Sequence, residues 1–250
     1  MRKPEELVHS RARVTQRYAL LPLEGFPVSR LPSCPEAEAR VLASPALGAK
    51  FVQMVVDVPA GKSARLDSQA GVENFYFVVS GRGKFGSGSS AQKLEPGSFG
   101  LLPPGAEMQF TAGDSLRLLT LQKHYESARG VEMFKGIHGQ ESKIEKKVWA
   151  DNPHSLLQAL IPDEMGFDLA MNIFTFDPGF GLPIVETHVM EHGLLFLQGK
   201  GLYFLGDRWM EVEADDFIWM GPYCPQSFYA TGPTPSRYIY FKNVNREILL

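Results

Sequence analysis

The chain has 250 residues, a formal net charge of -3 and two cysteines. The length admits one or two domains. The near-balanced charge, with no basic run, excludes nucleic acid as a partner class. No apolar stretch reaches the ~18 residues of a membrane helix. Met1 to Ser10 is charged and lacks the apolar core of a secretory signal. Cys34 and Cys224 stand too far apart in sequence to make a disulfide framework and fit a reducing compartment. The expectation is a cytoplasmic protein that acts on a small molecule, with no membrane or nucleic-acid partner.

Residues 1–44 read as an N-terminal arm. Short apolar runs follow at Phe51–Val58, Asn74–Val79, Phe99–Leu102 and Leu116–Gln122, rich in Val, Phe and Tyr as strands are. Turn residues punctuate them: Ser80-Gly81-Arg82-Gly83, Glu95-Pro96-Gly97 and Pro103-Pro104-Gly105. A linker is expected at 126–165, and the only helices expected are short, for instance around Ser155–Ala159. Further strands are expected at Leu194–Leu197, Phe217–Met220 and Arg237–Phe241. Many short strands at close spacing predict an all-β barrel or sandwich.

The chain also repeats itself. A shift of 118 positions carries Glu73 onto Glu191, Gly81 onto Gly199, Gly83 onto Gly201 and Pro104 onto Pro222. Two copies of one barrel are expected, at 45–125 and 166–250. The copies differ where chemistry is possible. In the second, Glu186, His188, His192 and Gln226 are all able to bind metal. Their counterparts Ser68, Ala70, Asn74 and Met108 are poor ligands or none.

A strand has a side-chain period of two, so Glu186 and His188 are expected on one face. A turn then returns His192 from the next strand, and Gln226 comes from a later strand. Two imidazoles, a carboxylate and an amide oxygen form a mixed N/O set suited to Mn²⁺, Fe²⁺ or Zn²⁺. His188-Val-Met-Glu191-His192 also matches the H-x-x-E-H pattern of inverted zinc peptidases. That chemistry needs a helix, and Pro183 and Gly193 leave no room for one. Glu191 recurs as Glu73 in the copy without ligands, so it reads as structural.

The pattern of ligands at spacing two, a third four residues on and a glycine seven beyond resembles the cupin motif, with Glu186, His188, His192 and Gly199 in place. Pro103-Pro104-Gly105 keeps the second cupin motif. Gly221-Pro222-Tyr223 departs from it, which leaves Gln226 the least secure ligand. The order Glu, His, His, Gln is similar to that of the (S)-ureidoglycine aminohydrolase family of bicupins. Further resemblance lies in Glu186-Thr-His-Val-Met-Glu-His-Gly193, Gly199-Lys-Gly-Leu-Tyr203, Trp219-Met-Gly221, Tyr238-Ile-Tyr-Phe-Lys242-Asn-Val-Asn-Arg246, Ala19-Leu-Leu-Pro22 and Leu42–Ala49. The resemblance implies a bicupin fold, Mn²⁺ in the C-terminal barrel, and release of ammonia from ureidoglycine to give ureidoglycolate.

Roles follow from that implied reaction. Glu186 is expected to shuttle a proton at the metal. Tyr238, Tyr240 and Lys242 share one face of the last strand. Lys242 is expected to neutralise the substrate carboxylate or move a proton, and Tyr203 to bind the ureido group. Against this, Tyr203 and Tyr238 serve equally as barrel filling, and a lysine near a chain end is often a solvated charge. Trp219 reads as core, and Met190 and Met220 as packing. Other readings are a dioxygenase or isomerase on another small acid, a storage barrel and a sensor. The first barrel reads as scaffold, and a homo-oligomer is expected.

Overall fold

The computed structural model describes residues 11–67 and 69–243. Among them the only helices are four 3-10 turns, at Leu23–Gly25, Pro45–Leu47, Gly88–Ser90 and Glu141–Lys143. No helix is long and apolar enough to cross a membrane. The strands in chain order are β1 (Arg13–Val14), β2 (Tyr18–Pro22), β3 (Ser29–Leu31), β4 (Cys34–Ala43), β5 (Phe51–Val58), β6 (Ser63–Leu66), β7 (Val72–Ser80), β8 (Gly83–Phe85), β9 (Gln92–Leu94), β10 (Ser98–Leu102) and β11 (Met108–Ala112). Then come β12 (Leu116–His124), β13 (Ile137–Gln140), β14 (Lys147–Trp149), β15 (Asn152–Ala159), β16 (Leu169–Phe176), β17 (His192–Gln198), β18 (Lys200–Leu205), β19 (Arg208–Glu213), β20 (Asp216–Met220), β21 (Gln226–Ala230) and β22 (Ser236–Asn243).

The chain divides into two compact units. One is Pro27–Lys143; the other joins Met1–Phe26 to Ile144–Leu250. The first contains a seven-stranded sheet, β13-β10-β7-β12-β5-β4-β3, and a four-stranded sheet, β6-β11-β8-β9. The second contains an eight-stranded sheet, β1-β2-β20-β17-β22-β16-β15-β14, and a three-stranded sheet, β19-β18-β21. The 118-residue shift superposes one order on the other. It carries β14, β16, β20 and β21 onto β3, β5, β10 and β11 with identical bounds.

The repeat is longer than the sequence reading allowed. Residues 29–43, expected as part of an arm, form β3 and β4. Much of 126–165, expected as a linker, forms β13, β14 and β15. Ser155–Ala159, expected as helix, lies in β15. These strands lack a visible apolar alternation. The inward positions of β4 include Cys34, Ala37 and Ala39, small residues set among charges. In β15 the buried positions are Ser155 and Gln158, whose side chains donate to the backbone oxygens of Gly181 (3.3 Å) and Ile144 (3.0 Å). Pairing with β16 outweighs local propensity there.

The leading strands are exchanged between the repeats. β2 opens the first repeat, yet it pairs with β20 of the second, Leu20 opposite Ile218. At the shifted position β13 pairs with β10, His138 opposite Gly100. Tyr18, Ala19, Leu20 and Leu23 are buried, so the N-terminal strand is part of a core.

The Gly-x-Gly turns have the same steric cause in both units. A Cβ on Gly83 would lie 2.4 Å from the carbonyl oxygen of Thr111, and one on Gly201 2.4 Å from that of Tyr229. Only glycine permits that approach.

The two barrel interiors differ. Around Tyr238 in the second unit, the rings of Phe196 and Phe228 pack with centroids at 5.2 and 5.5 Å. Each such side chain contributes about 1.5–3 kcal/mol by burial. In the first unit Tyr76 stacks on Phe85 at 4.9 Å and meets Phe110 edge-on at 5.2 Å. Its hydroxyl is bonded to His138 Nδ1 at 3.0 Å, and Met108 is fully buried nearby in the same core. The counterparts of Tyr76 and His138 are Leu194 and Leu20.

Candidate functional site

The second unit contains an open-mouthed cavity of about 620 Å³. Its polar wall is made by Glu186, His188, His192, Tyr203, Gln226, Tyr238, Tyr240 and Lys242, every site residue expected from the sequence. Its apolar wall includes Trp149, Phe174, Leu182, Leu194 and Met220.

Glu186 and His188 lie on the open connection between β16 and β17, not on a regular strand as expected. Backbone pairing replaces the strand. Glu186 and Gln226 exchange both main-chain bonds, at 2.8 and 2.9 Å, as an isolated bridge. Residues directly opposite in such a pair present their side chains to the same face. The carbonyl of His188 accepts the Tyr223 N–H at 2.8 Å. Tyr223 has φ +59°, where its counterpart Gly105 has φ +86°. The second copy therefore keeps the left-handed turn of the Pro-x-Gly motif without the glycine. His192 opens β17 opposite Lys242 on β22. Tyr238, Tyr240 and Lys242 all face the cavity, as the period of two requires.

Three of the four expected ligands converge. His188 Nε2 and His192 Nε2 are 3.4 Å apart, and the Gln226 side-chain nitrogen lies 3.1 Å from each. His192 is bonded through Nδ1 to the carbonyl of Phe241 at 2.9 Å, so Nδ1 carries the proton and Nε2 presents a lone pair. Burial and the charges around it lower its pKa to about 3, which keeps the ring neutral. His188 is lowered by burial and by Lys242. Its Nδ1 is buried without a hydrogen-bond partner. Two neutral imidazoles with lone pairs facing one point suit a cation. Among the described residues, however, no three His, Cys, Asp or Glu side chains form a metal-holding cluster. Glu186 forms the cavity wall beside the trio. Its carboxyl is pushed up by burial and held back by Lys242.

The tyrosines make a second network. Tyr203 O–H donates to Gln226 Oε1 at 3.1 Å, and the Tyr203 and Tyr238 rings lie with centroids 6.0 Å apart. Tyr240 accepts the side-chain N–H of Asn172 at 3.1 Å. Asn172 escaped the sequence reading, although its counterpart is the core residue Met54, and that polar replacement was a usable signal. Trp149 escaped because it was placed in the linker.

Glu191 is buried and accepts the indole N–H of Trp219 at 2.7 Å. Residues 188–192 contain no helix, so the inverted-zinc-peptidase arrangement is absent. Of the counterpart positions, Asn74 bonds Gln122 at 2.9 Å, while Ser68 lies outside the described residues. Met1–Ser10 and the stretch Val244-Asn245-Arg246 lie outside them as well.

No family model matches the chain. It is 33% identical over 238 residues to the (S)-ureidoglycine aminohydrolase of Arabidopsis thaliana, covering 93% of this chain and 77% of that protein. It is 32% identical over 250 residues to the (S)-ureidoglycine aminohydrolase of Escherichia coli K12, covering 98% and 95%. Among solved structures, that of protein Ylba from E. coli superposes with a TM-score of 0.85 at 30% identity over the full length of both chains. Solved cupin barrels share the fold at low identity, and the two tandem barrels make this chain a bicupin. With full-length coverage at this identity, the chain belongs to the (S)-ureidoglycine aminohydrolase family, hydrolases that act on a carbon–nitrogen bond.

Proposed function

We propose that this chain is a Mn²⁺-dependent enzyme that hydrolyses (S)-ureidoglycine to (S)-ureidoglycolate and ammonia, in purine and allantoin breakdown. The observation that carries this reading is one cavity holding Glu186, His188, His192, Gln226, Tyr238, Tyr240 and Lys242 in the copy whose partner positions lack them. Family membership supports the reaction. The cytoplasm and a homo-oligomeric state belong to the same proposal.

His188, His192, Gln226 and Glu186 would hold the metal, whose chemistry when bound is to chelate the substrate and polarise its reacting carbon. The rest is done by the protein's own groups. Among the described residues Lys242 is the only Lys or Arg lining the cavity, and its ammonium is the counter-charge for the substrate carboxylate. Tyr240 accepts from Asn172, which leaves its own proton free to donate to a ureido or carboxylate oxygen. Glu186, with its carboxyl pushed up by burial, holds a proton more readily than an exposed glutamate and can deliver it to the leaving amine. Trp149, Phe174, Leu182 and Met220 limit water around these charges, which strengthens them.

The test is ammonia release from freshly generated (S)-ureidoglycine by chelator-treated protein, with and without added Mn²⁺. Release above the spontaneous rate only with metal supports the proposal. One metal bound per chain without acceleration would move the substrate to another small acid.

A further inference from the structure

Gln226 has two chemically different ends, and only its oxygen is a ligand for a divalent cation. In this structure the nitrogen end faces the histidines, 3.1 Å from both Nε2 atoms, and Oε1 is turned the other way. The group on that far side is Tyr203, whose hydroxyl lies 3.1 Å from Oε1. Tyr203 is 1% exposed, and its ring is fixed between Phe196 at 6.3 Å and Phe228 at 5.8 Å. A buried ring packed in this way cannot follow the amide, so the amide must adapt to the hydroxyl.

The protons run in one direction. Tyr203 spends its single proton on Gln226 Oε1. Gln226 in turn donates its two N–H groups to the two imidazoles. In this arrangement both ends of the amide are partnered, and Oε1 faces away from the histidines. Turning Oε1 to the histidines presents Nε2–H to Tyr203. A hydroxyl can accept that bond, while a phenyl ring leaves a buried N–H without a partner.

We propose that Tyr203 is a positioning residue that acts through Gln226 and sets which end of the amide faces His188 and His192. In this role Tyr203 belongs to the metal centre rather than to the ureido-binding surface.

The inference rests on Gln226 being a metal ligand, and the experiment separates the two claims. Mn²⁺ alone is titrated calorimetrically into metal-free full-length protein, as wild type, Gln226→Ala, Tyr203→Phe, Gln226→Glu and the Tyr203→Phe/Gln226→Glu double variant. Tyr203→Phe keeps the ring and its packing. Loss of an outer hydrogen bond to a ligand typically weakens metal affinity by about 10- to 100-fold, and about tenfold or more is expected here. A carboxylate has two equivalent ends and needs no selection between them, so a smaller loss is expected in the Gln226→Glu background, where only the outer hydrogen bond is removed. Wild-type affinity in Gln226→Ala would remove Gln226 from the ligand set and the inference with it. A weakened Gln226→Ala with wild-type affinity in Tyr203→Phe would refute the positioning role alone. An equal loss in both Gln and Glu backgrounds would also refute it, since the effect would then be one of packing.

Discussion

Leu20→Ala tests whether the N-terminal segment is core or arm. Leu20 is fully buried and sits opposite Ile218 in a cluster with Phe196, Tyr203 and Met220. The substitution removes three carbons, worth about 2.4 kcal/mol of transfer free energy at about 0.8 kcal/mol per CH₂. Incomplete collapse of the space left adds about 1–2 kcal/mol, within the observed range for buried leucines. The expected loss is therefore about 3.5–4.5 kcal/mol, a large share of the ~5–15 kcal/mol that holds a typical protein folded. Urea unfolding followed by tryptophan fluorescence measures it. Val14→Ala is the internal control, since Val14 is 58% exposed on the neighbouring β1 and should change stability by less than ~0.5 kcal/mol. A Leu20→Ala loss below about 1 kcal/mol, near the control, would mean that the exchanged strand contributes no core and that the assembly of this unit is misread.

Other outcomes are expected at the site and its surroundings. His192→Ala, His188→Ala and Glu186→Ala should each lose Mn²⁺ binding and turnover, while Asn74→Ala keeps the metal content of wild type; full activity in His192→Ala would sink the ligand assignment. Lys242→Ala should retain Mn²⁺ by metal analysis but turn over ureidoglycine at least tenfold more slowly, as expected when a charge-assisted hydrogen bond is lost. Glu191→Ala leaves the Trp219 indole N–H buried without this acceptor and should cost about 1–3 kcal/mol in denaturant unfolding; a loss of catalysis in folded, metal-loaded protein would restore a chemical role to Glu191. His138 is held below its ordinary pKa by burial. The unfolded state then binds its proton more readily, so its contribution to stability is present above about pH 6.5 and is lost progressively as pH falls from there through the lowered folded value. His138→Gln should flatten the acid side of the stability curve, and an unchanged profile would remove the Tyr76–His138 bond from that account.

The sequence by itself determined the all-β class and the duplication, and it singled out side chains that line one cavity of the second unit. Residue type at a fixed offset carries that information. Glu186, His188, His192 and Gln226 stand against Ser68, Ala70, Asn74 and Met108 whatever the fold does, and Tyr238, Tyr240 and Lys242 share a face because a strand alternates. The extent of each unit was not legible. β4 buries alanines and a cysteine, and β15 buries Ser155 and Gln158, so neither shows an apolar alternation. The exchange of β2 and β13 is a long-range pairing with no local signature at all. Tertiary structure also decided how the candidate ligands are held: a two-residue bridge from Glu186 to Gln226 does the work expected of a strand, and a left-handed Tyr223 anchors the carbonyl of His188. It alone brought Asn172 to Tyr240 and Tyr203 to Gln226. Those contacts join positions distant in sequence, and a hydrogen bond depends on where two atoms meet in space rather than on the pattern of residues along the chain.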